Sequence, residues 1–354
     1  MISDSILNKI TALAKKGQGF TAPNPAVAAA VVLKDSLQCM GVHYGAGFDH
    51  AEVNALRYVQ HKDLSQGVLY VTLEPCCHYG RKPPCVDAIV RAGINQVVYG
   101  YRDPNPLVGG QGVAALMKAG LQCKHMPTAA IDDLYRPYTH WCLTGQPWVT
   151  AKLALSAEGA VAGARGLPVA ITGDIFNRWV HEQRGHSDMI LTTGKTVLQD
   201  NPILNARIAG ESFAKPLAII DRLGRTPLMA QCLQNSAETT LYTSKTMKHG
   251  HCYEKQGISC IRVPETMDGQ LCLSTIIQDL GRQGMHHVWV EAGPTLFMAL
   301  HEHNLLKRAI VARSRRILGP EALLGLPQGF DLYRDAQCVD EQWMGEDKIT
   351  IVDF

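Results

Sequence analysis

The 354-residue sequence predicts two α/β domains in succession. Three observations predict this. At ~100–200 residues per domain, the length accommodates two hydrophobic cores. Apolar runs of strand length alternate with segments of helical apolar spacing through both halves, as layered strands and helices require. The stretch "LTGQPWVT" (143–150), with Gly145 and Pro147, interrupts that alternation and sets the expected domains at 1–145 and 146–354.

The elements follow in order. "MISDSILNKITALAKKG" spaces Ile6, Ile10, Leu13 and Ala14 as one helix face. "AVAAAVVL" (26–33) reads as a buried strand and "HAEVNALRYVQHK" (50–62) as a helix. "GVLYVTLEP" (67–75) is a strand, "CVDAIVRAG" (85–93) a helix stopped by Gly93, and "NQVVYGY" (95–101) a strand. Residues 113–119 form a helix ended by Gly120, so the first sheet is expected to be largely parallel. Beyond the break, "WVTAKLAL", "DMILTTG", "PLAIID", "TTLYTS" and "HVWVEAG" read as strands. "DIFNRWVHEQRG" (174–185) is a helix with Asp174 as its cap, an apolar stripe of Phe176, Trp179 and Val180, and Gly185 as its stop.

Composition narrows the function classes. With 46% hydrophobic and 19% charged residues the chain is of globular type, and a net charge of +2 gives no pull towards nucleic acid or anionic membrane. The longest apolar run, "AVAAAVVL", has eight residues, against the ~20 of a membrane helix. The N-terminal segment lacks the apolar run and cleavage site of a signal peptide. Eleven cysteines without framework spacing indicate a reducing compartment, and the expected location is the cytoplasm.

The chemistry concentrates in "HAEVNAL" and "TLEPCCHYGRKPPC". His50 and Glu52 fall in the first turn of a helix. Residues two apart do not share a helix face, so one can ligate a metal while the other reaches towards substrate. Cys76 follows Pro75 at a strand end and Cys85 opens a helix, where unpaired N–H groups favour thiolate. One imidazole and two thiolates leave a fourth tetrahedral position open, as in catalytic zinc sites. Glu52 is then the proton carrier. Cys77 is set aside because adjacent side chains on extended backbone point to opposite sides. His78 is either an alternative ligand or a substrate contact. "GQGVAA" (110–115) fits a G-x-G-x-x-A dinucleotide fingerprint, but it follows a proline-rich turn and lacks the later acidic residue, so it reads as a turn into a helix.

His-x-Glu followed by Pro-Cys is similar to the zinc deaminases of nucleobases and nucleotides. The wider spacing between the cysteines, with "TAPNPAV" before and "RDPNPLVGGQG" after, resembles the deaminase half of the bifunctional riboflavin-biosynthesis deaminase/reductase family. That resemblance implies a cytidine-deaminase-like α/β/α sandwich with one Zn²⁺, deaminating a diaminopyrimidinone ribosylamino 5′-phosphate. It implies zinc on His50, Cys76 and Cys85, and Glu52 as proton shuttle. It sets Asn24, His43, His78, Arg81 and Asn105 around the pyrimidine and its phosphate. Ala28 and Lys82 depart from the usual Gly and Thr.

By itself the second half offers Lys152 on a strand, Arg184 at a helix end, "TTGKTVLQDNPILNAR" after a strand, and "EAGPTL", a strand–glycine–helix start suited to phosphate. These stretches resemble the reductase half of the same family. That implies a dihydrofolate-reductase-like domain using NADPH to reduce the ribosyl group to ribityl, in a homo-oligomer. Lys152, Ala154, Ala170, Thr196, Asp200 and Gly293, Pro294, Thr295, Leu296 and Phe297 are expected near NADPH. Arg184, Leu204, Arg207 and Glu291 are expected to hold substrate. Arg222, with Arg225 as the second choice, is set against the 2′-phosphate of NADPH, or is a solvated turn arginine. This half departs more from the pattern: Glu158 replaces an Asp, Ala170 a Trp, Lys307 and Arg308 an acidic pair, and Pro168 a polar contact. Pro168 has no donor, which removes one hydrogen bond of ~0.5–1.5 kcal/mol.

Two alternatives remain. The second domain can be a scaffold without reductase activity. A deaminase of polynucleotides would need a basic groove with interleaved aromatics, which +2 net charge and 6% aromatic residues oppose.

Overall fold

The computed structural model describes every residue except Met1, Arg81, Lys248 and His249. The chain divides into two compact units, Met1–Gln146 and Pro147–Phe354. Among the described residues no helix is long and apolar enough to cross a membrane.

The first unit runs α1 (Ile2–Lys15), β1 (Ala28–Leu33), β2 (Ser36–Val42), α2 (Ala51–Arg57), β3 (Gly67–Leu73) and α3 (Cys85–Arg91). β4 (Gln96–Tyr101), α4 (Gln111–Lys118), β5 (Gln122–His125) and α5 (Ala129–Thr144) complete it. The sheet order is β2-β1-β3-β4-β5. Successive residues of β1 feed opposite faces: Ala29 and Val31 pack with α2, α3 and α4, while Ala28, Ala30 and Val32 pack with α1 and α5. The result is an α/β/α sandwich. The expectation of a largely parallel sheet needs correcting, because β1 pairs antiparallel with both β2 and β3. Lys34 and Asp35, at φ 47° and 60°, close a tight two-residue hairpin between β1 and β2. Such a turn favours Asn-Gly and is hard to read in Lys-Asp. The α2 helix stops at Arg57 instead of running to residue 62.

The second unit begins with β6 (Trp148–Leu155), β7 (Ala160–Ala164), α6 (Asp174–His186), β8 (Met189–Thr193), α7 (Gly194–Asp200) and β9 (Ala206–Ile208). Next come β10 (Glu211–Phe213), β11 (Leu217–Ile220), α8 (Gln231–Asn235), β12 (Thr239–Thr243), α9 (Gly250–Glu254) and β13 (Ser259–Arg262). It ends with α10 (Leu273–Arg282), β14 (His287–Glu291), α11 (Pro294–Glu302), β15 (Arg308–Arg313), β16 (Ala322–Leu324), β17 (Cys338–Met344) and β18 (Asp347–Asp353). Its main sheet is ordered β13-β12-β11-β8-β14-β6-β15-β18-β17, parallel through β15 and antiparallel in the last two pairings. Central strands are buried on both faces, which is why they read as unbroken apolar runs. Val288 and Val290 pack towards α10 and α11, and Trp289 between them packs towards α6.

Two details of α6 differ from the sequence reading. Gly173 holds the cap position and Asp174 is the first helical residue, where its charge still suits the helix N-terminus. Gly185 lies inside the helix and does not end it. A Cβ there would stand 2.5 Å from Ile208 Cδ1, so the glycine serves close approach to β9.

Candidate active sites

In the first unit the site is built at the end of β3. Glu74, buried just beyond that strand, accepts backbone N–H groups from Asp103 (3.2 Å), Gly110 (2.8 Å) and Val113 (3.0 Å). It thereby ties the 103–113 loop under the strand end. At Gly112 a Cβ would lie 1.9 Å from the Pro75 carbonyl oxygen, so only glycine lets α4 come this close. "GQGVAA" is thus a turn and helix start, with Gly110 left-handed as the α4 cap.

His50 occupies the cap position of α2 with extended backbone, and its ring turns away from capping to face the cysteines. Its Nδ1 lies 3.1 Å from Cys85 Sγ and 3.4 Å from Cys76 Sγ. Cys85, the first residue of α3, donates its backbone N–H to Cys76 Sγ at 3.3 Å. The ligand atoms of His50, Cys76 and Cys85 lie within 4.8 Å of one another, a convergence that only this group shows among the described residues. The hydrogen bond from Cys85, then that from His50, pulls the Cys76 thiol down to about 4, while the same bond and burial push the Cys85 thiol up. One sulfur therefore carries charge while the other keeps a proton that a cation can displace. Two sulfurs and one imidazole in this state fit Zn²⁺. Cys77 is not part of the group.

Glu52 is buried beside the cluster. Burial first, and then the Cys76 thiolate, push its carboxyl up to about 7. A cavity of about 400 Å³ opens over it, lined among others by Asn24, His43, His78 and Asn105. The His43 ring is fixed from both sides. Nδ1 faces the Asp49 carbonyl at 3.2 Å, so it carries the proton, and Nε2 accepts from Asn24 Nδ2 at 2.9 Å. The ring also meets His50 edge-on, with centroids 5.2 Å apart. Asn105 Oδ1 accepts from Leu107 N (3.0 Å), which leaves its amide nitrogen for other contacts. His78 is exposed at the rim. Arg81, expected at the phosphate, lies outside the described residues.

The sequence reading missed Glu74, and also Tyr138 and Trp141 of α5, which line the same cavity with rings 6.2 Å apart and nearly parallel. Their i, i+3 spacing in "RPYTHWC" was the available signal.

In the second unit the centre is Glu291, at the end of β14. Arg184 grips it through Nε (2.5 Å) and NH2 (3.0 Å), Trp289 Nε1 donates at 2.8 Å, and Lys152 Nζ stands at 3.5 Å. Lys152 is the register partner of Glu291 on β6. Burial alone would raise the Glu291 carboxyl, but the Arg184 and Lys152 charges outweigh it and hold the group well below the usual carboxylate range. Ala154 shares the Lys152 face of β6 by strand alternation. Asp200, the last residue of α7, is raised by burial and feels the Lys152 charge. Thr196 N is capped by Thr193 Oγ1 at 3.2 Å, and the two hydroxyls are 2.9 Å apart.

Arg207 joins through Asn205 and His181. Its NH1 reaches Asn205 Oδ1 (3.3 Å), and the Asn205 carbonyl accepts from Arg184 NH1 (3.0 Å). Neither His181 nor Asn205 was singled out from the sequence. Three expected contacts can act only through backbone, because the side chains of Leu204, Leu296 and Phe297 are core residues. Leu204 is left-handed at φ 55°. Gly293 caps α11, with Pro294 as its first residue, and Thr295 and Leu296 present N–H groups that the helix itself does not satisfy. Ala170 is exposed, and its carbonyl accepts from Arg316 NH1 at 2.7 Å. Arg222 follows β11 and pairs with Glu265 at 3.5 Å.

Comparison with known proteins agrees with both halves. Residues 2–101 match the cytidine and deoxycytidylate deaminase zinc-binding region, and residues 147–339 match the RibD C-terminal domain. The chain is 34% identical over 339 residues to the riboflavin biosynthesis protein RibD of Escherichia coli, covering 92% of this chain and 91% of that protein. With the RibD of Actinobacillus pleuropneumoniae it shares 33% identity over 88% of this chain and 84% of the relative. A solved structure of Acinetobacter baumannii RibD superimposes with a TM-score of 0.86 at 30% identity, covering 99% of this chain and 98% of the other. A Thermotoga maritima structure described as a diaminohydroxyphosphoribosylaminopyrimidine deaminase/5-amino-6-(5-phosphoribosylamino)uracil reductase gives 0.85 at 27% identity, with 99% and 98% covered. Each half of the chain thus meets its counterpart within a single relative, and the chain belongs to the RibD family of riboflavin biosynthesis proteins.

Proposed function

We propose that the chain catalyses two successive steps of riboflavin biosynthesis. The first is hydrolytic, zinc-dependent deamination of 2,5-diamino-6-ribosylamino-4(3H)-pyrimidinone 5′-phosphate, and the second is NADPH-dependent reduction of the ribosyl to the ribityl chain. The observation that carries this reading is the convergence of His50, Cys76 and Cys85 beside a buried Glu52. When bound, zinc lowers the pKa of its water from 15.7 to ~7 and so supplies hydroxide at neutral pH.

The chain's own residues do the rest. Glu52, with its carboxyl near 7, can both take and return a proton, as carriage from water to a leaving amine requires. His43, kept neutral by burial and fixed in orientation by its two partners, presents a polar edge together with Asn24. His78 and Asn105 line the same cavity and would meet the substrate there. In the second unit NADPH, when bound, would supply a hydride to C1′ of the sugar as the bond from C1′ to the ring oxygen breaks. Lys152 Nζ would give that oxygen its proton, and Arg184 and Glu291 would hold the substrate. The backbone of 293–297, with Thr196, Asp200 and Ala154, forms the cofactor side. The scaffold alternative gains no support from this geometry, since the Lys152–Glu291–Arg184 group is assembled despite Pro168, Ala170 and Glu158. A cytoplasmic setting belongs to the same proposal, supported by eleven free cysteines. Self-association rests on the family resemblance alone.

The test is Glu52→Gln in the full chain. Ammonia release should fall by roughly 10²–10⁴-fold with zinc retained. NADPH consumption on deaminated substrate should persist. Loss of both activities in a folded variant would refute the two-site reading.

A further inference from the structure

In the reductase unit His181 faces more donors than its ring can satisfy. It lies on α6, half-buried, one turn before Arg184. The Arg207 backbone N–H points at its Nδ1 from 3.2 Å, and Arg184 NH1 stands 3.5 Å from the same atom. On the other side of the ring Arg207 NH2 lies 2.8 Å from Nε2. Backbone amides and guanidinium groups only donate, whereas a neutral imidazole has a single acceptor nitrogen. Turning the ring over leaves the Arg207 amide facing carbon. The amide is fixed in β9 and the guanidinium is not, so Nδ1 accepts from the amide and Nε2 carries the proton. That N–H then confronts an Arg207 N–H donor. Burial, then the charges of Arg184 and Arg207, press the imidazole down to about 4, so a second proton does not alter the count near neutrality.

Two donors meeting head-on are satisfied by an anionic oxygen placed between them. Of the surrounding acceptors, Glu291 is engaged by Arg184, Trp289 and Lys152 and the Asn205 amide oxygen by Arg207, while the Asn205 carbonyl accepts from Arg184 and also faces the His181 ring. Arg207 is exposed, so the meeting point opens to solvent. We propose that His181 Nε2–H and the Arg207 guanidinium jointly bind a phosphate oxygen of the pyrimidine ribosyl phosphate. His181 is then a substrate-binding residue of the reductase. This rests on the reductase reading of the second unit. NADPH carries phosphates of the same chemistry, and the experiment separates the two sources.

Reduction by the full chain is measured with deaminated substrate and with its dephosphorylated counterpart, for wild type, His181→Phe and His181→Gln. In His181→Phe, kcat/KM for the phosphorylated substrate should fall about ten- to a hundredfold, chiefly through KM. The dephosphorylated substrate should change less than twofold. Gln can accept from the Arg207 amide and donate to phosphate, so it should recover most of the loss. Equal losses on both substrates overturn the proposal, as does an effect confined to the KM for NADPH. Titration of the wild-type chain with inorganic phosphate, read on the His181 ring ¹⁵N resonances, needs no variant. Nε2 should shift with phosphate, and an unmoved resonance refutes the site. If wild type reduces neither substrate, the reductase reading fails, while the phosphate titration still reports on His181.

Discussion

The two sites hold charge in opposite ways. At the end of β3, two thiols and an imidazole converge, with the Cys76 sulfur held as thiolate and the Cys85 sulfur kept protonated by their mutual hydrogen bond and by burial. At the end of β14, one carboxylate is surrounded by Arg184, Lys152 and the Trp289 N–H, so its counter-charges come from within the chain, with one positive charge in excess. The first group is completed by a cation from outside, whereas Glu291 has its counter-charges within the folded unit. A substitution in the first should therefore change what is bound, and a substitution in the second should change whether the unit stays folded.

The sharpest way to break that comparison is to remove ligands singly. Cys85→Ser should bring zinc, measured by elemental analysis, from one equivalent per chain to near zero, while Cys77→Ser keeps it. The second unit should melt unchanged in both. Zinc retained in Cys85→Ser and lost in Cys77→Ser would reverse the ligand assignment. In the other site, Glu291→Ala leaves Arg184 and Lys152 in a largely buried place without their counter-charge. Breaking such a pair costs about 3–5 kcal/mol, so unfolding of the second unit should move to clearly lower denaturant. Zinc content should stay at one equivalent. A variant as stable as the parent would mean that the ion group contributes nothing net.

These sites were unequally legible in the sequence. Residue types and spacing carried His50, Glu52, Cys76 and Cys85, because helix starts and a strand end position a side chain whatever packs around them. Lys152 was found on a strand and Glu291 at a strand end, but their mutual contact depends on β14 lying beside β6, a pairing of segments more than a hundred residues apart. Glu74 looks like any acidic residue after a strand until the 103–113 loop folds over it. His181 sits in an ordinary amphipathic helix, and only the return of β9 beside α6 brings Arg207 against it. The hairpin at Lys34-Asp35 escaped because neither residue advertises positive φ. Local rules reached what one element positions by itself, and failed where two distant elements share a task.

A smaller effect sits at the opposite end of β14 from Glu291. His287 is pushed down to about 4, by burial first and then by the Arg308 and Lys215 charges, with Asp188 opposing them. Its Nε2 pairs with Thr150 Oγ1 at 2.9 Å. The folded value lies below the ~6.5 of an unfolded chain. The unfolded state therefore takes up the proton first as pH falls. The stability this neutral imidazole preserves is fully present above about pH 6.5 and is lost progressively towards pH 4. Replacing it by Gln should flatten the dependence of unfolding free energy on pH across that window. An unchanged slope would assign the window to other groups, such as His181, which is also held near 4.

The smallest effect tests whether the reductase site extends past β11. Arg222 stands just beyond that strand, partly exposed, and its guanidinium is 3.5 Å from Glu265. A guanidinium can grip the 2′-phosphate of NADPH in two-pronged fashion, but here it must leave or share its carboxylate partner. An ion pair this exposed contributes only about 0–1 kcal/mol, so the competition is weak and does not disappear. We therefore expect Arg222→Ala to lower the NADPH-over-NADH ratio of kcat/KM by about three- to tenfold, less than an unopposed charge-assisted contact would give. NADH turnover should barely change, because NADH lacks the phosphate. Glu265→Gln should move the ratio the other way, by releasing Arg222 and removing a negative charge beside the phosphate. If neither substitution moves the ratio, Arg222 is a solvated arginine paired with Glu265, and Arg225 becomes the residue to replace next.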